Sequence, residues 1–188
     1  DQGYTEADIF TDLTTSRGTA RFLGFFSRRG ISFVLKQFGT FDFLAKQGLP
    51  DGYVTLDTSD PFMHRLRLEH ELHNKKYLSG ECVMRRSSIK LPAPAANLSE
   101  FNLILVEWFL LQHPLKSFSR RRPQLPGQEY PGLGISKLIY ELFYWTARRL
   151  KADGVLLVPN YLHTGLLYGR QFLFIDPVRE GQLYKISK

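Results

Sequence analysis

The chain has 188 residues, of which 43% are hydrophobic and 14% aromatic, so it is a globular chain with enough apolar side chain for a sizeable core, not a disordered one. Its net charge of +7 favours acidic partners, whether nucleic acid, anionic lipid or a polyanionic cofactor, without choosing among them. The single cysteine, Cys82, excludes an internal disulfide and fits a reducing compartment, so a cytoplasmic location is expected.

The segment 1–49 reads as helical. Asp8, Ile9, Phe10 and Leu13 have helix spacing, and Ala20–Ser27 suggests a turn-rich helix. Ile31, Val34, Leu35 and Phe38 mark an amphipathic helix after Gly30, ended by Gly39, and Phe41, Phe43 and Leu44 another short one. Pro50-Asp51-Gly52 is a turn in which proline presets φ and glycine accepts a positive one. The segment 50–112 reads as antiparallel strands. Tyr53–Leu56 is short and β-rich. His64–Leu72 alternates polar and apolar residues, the pattern of a half-buried strand. Asn74-Lys75-Lys76 turns the chain into a returning strand over Tyr77–Arg86, continued by Ser87–Leu91, and Pro92–Ala96 is a loop.

Phe101–Gln112 is the most apolar run. It reads as a central strand, with a helix as the alternative, and Glu107 interrupts it. It is too short to span a bilayer. The segment 113–131 is a long loop carrying Arg120-Arg121-Arg122. Pro131-Gly132-Leu133-Gly134-Ile135-Ser136 then opens a helix whose apolar face is Ile135, Leu138, Ile139, Leu142, Phe143, Ala147 and Leu150. Gly154 releases that helix into a buried strand, Val155–Val158. A short helix over Tyr161–Tyr168 and a strand over Gln171–Ile175, stopped by Asp176-Pro177, follow. The order predicts a single α/β (α+β) domain over residues 1–188, with a mostly antiparallel central sheet flanked by helices and a β-α-β part over 132–188.

Glycines at a helix entrance let the backbone approach a ligand, and the helix N-terminus offers unpaired N–H groups with partial positive charge. Gly132, Leu133, Gly134, Ile135 and Ser136 are therefore candidates to hold a phosphate or diphosphate, although a loop that merely enters a helix has the same composition. Glu69-His70-Glu71-Leu72-His73 does not read as a metal site, because histidines three apart on a strand face opposite ways.

The loop Pro131–Ser136, the following helix and strand, and the segment Gly165-Leu166-Leu167-Tyr168-Gly169-Arg170-Gln171-Phe172 resemble the GNAT acyltransferase superfamily over roughly residues 100–176. The family carries Q/R-x-x-G-x-G/A ahead of the helix and A-x-x-L-Y-x-x-x-G-F after the strand. Here Pro131, Ser136 and Phe172 depart from that pattern. The resemblance implies a central sheet of GNAT type and an acetyl-CoA or longer acyl-CoA co-substrate, without metal. It implies transfer of the acyl group to an amine acceptor, with Tyr168 as the acid for the leaving thiolate and Glu107 as the base. The alternatives are a GNAT-like N-acyl amino acid or signal synthase with long acyl chains, and a non-catalytic basic module for nucleic acid.

Overall fold

The computed structural model describes residues 21–90 and 100–186. The segments expected as a helix near Asp8 and a loop at Pro92–Ala96 lie outside these residues. The fold is mixed α/β, and its five strands form a sheet in the order β1-β2-β3-β4-β5. The first two pairings are antiparallel and the last is parallel. The chain divides into two compact units, one reaching to Ser87 and including Trp108–Leu110, the other comprising Ser88–Glu107 and Leu111–Lys188.

In the first unit, Leu23 and Gly24 take φ of 53° and 71°, where Ala20–Ser27 was expected to be helical. Phe22 and Phe26 pair across this tight turn, and the Leu23 N–H donates to Nδ1 of His64 at 2.6 Å instead of to a helical carbonyl. Helix α1 (Arg28–Gln37) begins before Gly30 because the Ser27 hydroxyl accepts the Gly30 N–H at 3.0 Å, an N-cap that the apolar spacing does not reveal. Gly39, at φ 68°, separates it from α2 (Thr40–Lys46).

Strands β1 (Tyr53–Asp57), β2 (His64–Leu72) and β3 (Lys75–Ile89) form a meander. In the turn before β1 it is Asp51, not Gly52, that takes positive φ. Gly52 is needed for closeness instead: an added Cβ would lie 2.9 Å from the His70 ring and 3.1 Å from Phe41. The β2–β3 hairpin turns on His73 and Asn74, at φ 50° and 61°, as a two-residue turn matched to strand twist demands. That is earlier than the Asn74–Lys76 expectation. On β2 the even-numbered residues form the buried face, with His64, Leu68 and His70 enclosed. A β-bulge inserts Ser79 opposite that face, so Gly80, Cys82 and Met84 then oppose Leu68, Leu66 and His64. Cys82 is enclosed and its thiol is pushed up by burial, which makes it a core residue and not a nucleophile.

The second unit holds β4 (Phe101–Leu111, apart from Trp108–Leu110), α3 (Ser136–Arg149), β5 (Gly154–Leu157), α4 (Leu162–Tyr168) and α5 (Pro177–Ile186). The apolar run at Phe101 is a strand, the first of the two readings its apolarity left open, and not a helix. Ile104, Leu105 and Val106 are all buried, which is the mark of a strand covered on both faces. They pair in parallel with Val155, Leu156 and Leu157. The segment Gln171–Ile175 is not a strand. The N–H groups of Gln171 and Phe172 both bond the Tyr168 carbonyl, so the chain stays wound past α4, and Leu173 stands in solvent. Asp176-Pro177, read as the stop of a strand, is instead a helix start: the Asp176 carboxylate accepts the Val178 N–H at 2.9 Å and proline occupies the first helical position.

Candidate functional site

The site is built at the carboxyl ends of the parallel pair. Their register ends at Val106 with Leu157. The long loop begins at His113 and returns at Pro131, where the His113 N–H donates to the Pro131 carbonyl at 2.7 Å. Residues 114–130 are therefore an excursion closed at its base, and the glycine corner lies where a short strand-to-helix turn would put it. An added Cβ on Gly132 would meet the Leu111 carbonyl at 3.8 Å, so this corner lies against the end of β4. Parallel strands joined through a helix leave a ligand crevice beyond their carboxyl ends.

The corner alternates. Pro131, Leu133 and Ile135 are buried, while Gly132 and Gly134 are exposed. The apolar side chains pin the backbone and turn the glycines outward. Gly134 has φ 80°, and nothing lies within 4 Å of where its Cβ would be. The first amide bonded within α3 is that of Ile139, which donates to the Ile135 carbonyl at 3.2 Å. The amides of Ile135, Ser136, Lys137 and Leu138 thus have no partner inside the helix, and no side chain caps it. These donors lie slightly later in the chain than the Leu133–Ser136 set expected from the glycines.

Two residues of this corner escaped the sequence reading. Lys137 is exposed in the first helical turn, which has no acidic residue. A cation there opposes the helix dipole, and an anion at the corner relieves both. Its signal was available: a lysine follows the N-cap where Asp or Glu is favoured. The other is Tyr140. Helical side chains lean toward the N-terminus, so a tyrosine one turn inside α3 lies over the turn that begins it. Tyr140 is only 7% exposed, and its hydroxyl has no hydrogen bond of normal geometry. Burial is the main cause that pushes its pKa up to about 12. Tyr168 nearby adds to the rise, and the Ser136 hydroxyl opposes it weakly. At neutral pH it is a protonated donor with no well-formed hydrogen bond, the Ser136 hydroxyl being the polar group that acts on it. Of the apolar face predicted for α3, Ile135, Ile139, Phe143 and Ala147 are enclosed, while Leu138, Leu142 and Leu150 are half-buried; Tyr140 joins the enclosed residues instead.

Tyr168, in the last turn of α4, is half-buried, and its ring meets that of Tyr140 edge to face at 6.3 Å. Phe172 packs on Tyr140 in the same manner at 5.2 Å. Ser136, Tyr140 and Tyr168 therefore form a continuous line from the glycine corner to the end of α4. Glu107 is half-buried on β4, one residue beyond the last position paired with β5, and it already has an interaction partner. Arg120–Arg122 is exposed in a tight turn closed between Ser119 and Arg122. Farther along the same loop, Gly127 lies so close to the Tyr161 ring that no side chain fits between them. Tyr161 stands at the start of α4, so the loop is packed against that helix.

No family model and no curated protein sequence matches the chain. Crystal structures of two mutants of the BH1408 protein from Bacillus halodurans are similar to it in part. One has 11% identity and a TM-score of 0.37, over 63% of this chain and 64% of that protein. The other has 13% identity and a TM-score of 0.35, over 63% and 67%.

Proposed function

We propose that the protein is an acyltransferase of GNAT type, which binds an acyl-CoA at the α3 N-terminus and transfers the acyl group to an amine. The observation that supports this best is the corner itself: uncapped amides and an outward glycine at positive φ, at the carboxyl end of a parallel strand pair. The residues present suit a diphosphate. The amides of Ile135–Leu138 donate, Lys137 contributes charge, and the Tyr140 hydroxyl has a donor to give. Pro131 offers no N–H and takes no part.

An acyl-CoA supplies an activated acyl group on sulfur. The protein's share is orientation and proton handling. The Glu107 carboxylate takes a proton from the acceptor ammonium so that a neutral amine attacks. As the C–N bond forms and the C–S bond breaks, the Tyr168 phenol, of a residue type with pKa ~10, gives its proton to the departing thiolate, whose thiol has pKa ~8.5, and regains one when the new amide nitrogen sheds its second proton. Tyr168→Phe is expected to lower turnover by about 10²-fold or more, with CoA affinity within about twofold of wild type. Equal turnover removes Tyr168 as the acid.

The reading is tested by thermal unfolding with acetyl-CoA and with longer acyl-CoAs. A ligand present at a hundred times its dissociation constant adds about 2.7 kcal/mol to the native state, so the melting temperature rises clearly. No rise with any CoA thioester, or with CoA itself, refutes the reading. Tyr140→Phe separates the role of that hydroxyl. Without ligand the variant should be as stable as wild type or slightly more so, because it removes a buried polar group lacking a partner. Its affinity for CoA should fall several-fold, and equal affinity shows that the hydroxyl does not reach the bound ligand.

A further inference from the structure

A cavity lies within the first unit. It has a volume of about 310 Å³ and is lined by Leu23, Gly24, Pro61, Phe62, His64 and Arg86. That volume is at the low end of small-molecule pockets, about 300–1,000 Å³.

Its polar groups follow from strand parity. His64 is on the enclosed face of β2 and pairs with Met84 of β3. Arg86, two residues on, shares the face of Cys82 and Met84. The strand thus carries a guanidinium where its pattern calls for an apolar side chain. Arg86 is exposed and forms no ion pair among the described residues, whereas Arg65 and Arg67 of β2 both pair with Glu81. His64 is oriented from behind. Its Nδ1 accepts the Leu23 N–H at 2.6 Å, which leaves Nε2 to carry the ring's proton. The same bond holds Leu23 at φ 53°, an uncommon conformation for leucine that persists only where its surroundings impose it.

The remaining wall is apolar. Phe62 is 79% exposed, beside an exposed Met63. The N–H groups of both donate to the Asp60 carboxylate, at 2.7 and 3.0 Å, which fixes the backbone that presents Phe62. An exposed aromatic on a fixed backbone, a guanidinium without an ion pair and a histidine held through its Nδ1 line one small cavity.

We infer that this pocket binds a small monocarboxylate with an apolar or aromatic body, its carboxylate on Arg86 and its body against Phe62 and Leu23. The planar guanidinium matches a carboxylate with two parallel hydrogen bonds, and the Phe62 ring covers apolar surface. The inference does not depend on the acyltransferase reading.

Ligand-detected NMR titration of the full chain tests it, using phenylacetate, its neutral analogue phenylacetamide, and acetate. Phenylacetate should bind at least about tenfold more tightly than either. Arg86→Gln, at an exposed position, should abolish the preference over phenylacetamide and leave the melting temperature unchanged. Phe62→Ala should abolish the preference over acetate. The inference is overturned if phenylacetate does not bind, if it binds no better than phenylacetamide, or if Arg86→Gln binds it as wild type does.

Discussion

Gly134→Val is expected to abolish coenzyme A binding while the protein still folds. The cost to the fold is bounded by the backbone. Gly134 sits at φ 80°, and a side chain in the left-handed region costs roughly 1–2 kcal/mol. For a chain of this size that lowers the melting temperature by roughly 2–8 °C. The cost to binding is larger, because the new side chain would project into the open space beside the α3 amides, where nothing lies within 4 Å of a Cβ at this position. Gly132→Ala is the companion. Its Cβ would be in ordinary contact, 3.8 Å from the Leu111 carbonyl, with no positive φ to strain it. It should fold as wild type and keep most of the affinity. Calorimetric titration with CoA reads both. Wild-type affinity in Gly134→Val would dispose of the corner as a diphosphate site.

His70→Leu is expected to be the most damaging single change in the β-meander. His70 is fully enclosed; its Nδ1 faces the Pro50 carbonyl at 3.0 Å and its Nε2 the Ser79 hydroxyl at 2.8 Å. A carbonyl only accepts, so Nδ1 donates to Pro50. The Ser79 hydroxyl lies within reach of both Nε2 and the Leu68 carbonyl, at 3.1 Å. The ring thereby ties the turn before β1 to the bulge of β3. Leucine fills similar volume but leaves the Pro50 carbonyl without its donor, a loss of about 2–4 kcal/mol. The melting temperature should fall by roughly 4–16 °C. His73→Asn is the control. His73 is exposed at φ 50°, which asparagine tolerates, and its replacement should leave the transition in place. A His70→Leu transition within two degrees of wild type would show that these bonds contribute little.

The contrast between His70 and His73 shows how far the sequence could be read. Strand parity separated them on the expectation that both lie on one strand, but His73 stands in the hairpin turn beyond β2, where parity no longer applies. Parity also did not reveal that His70 is a structural bridge, because Pro50 and Ser79 reach it only through the β2–β3 register and the bulge. The glycine corner, its helix and the strand after it were legible because local chemistry dictates them: glycine at positive φ, a 3.6-residue apolar period, a short β-rich run. Tyr140 was not legible as a site residue. A tyrosine on a helix reads as packing until its hydroxyl is found enclosed without a partner. Leu23 and Phe172 were misread because each takes its conformation from a bond or ring contact that its own spacing does not encode. The Asp176-Pro177 helix start was legible, since an N-cap Asp and a proline at the first helical position are local signals, and was misread as the stop of a strand.

By itself the sequence determined the mixed α/β class, the parity of His64–Leu72 and the place of the glycine corner, because propensity, period and turn chemistry act over a few residues. Only the tertiary structure decided that the loop after His113 closes on Pro131, that Tyr140 meets Tyr168, and that Arg86 shares a cavity with His64 and Phe62. Those meetings depend on strand register and on packing between residues far apart in the chain, which no local pattern specifies.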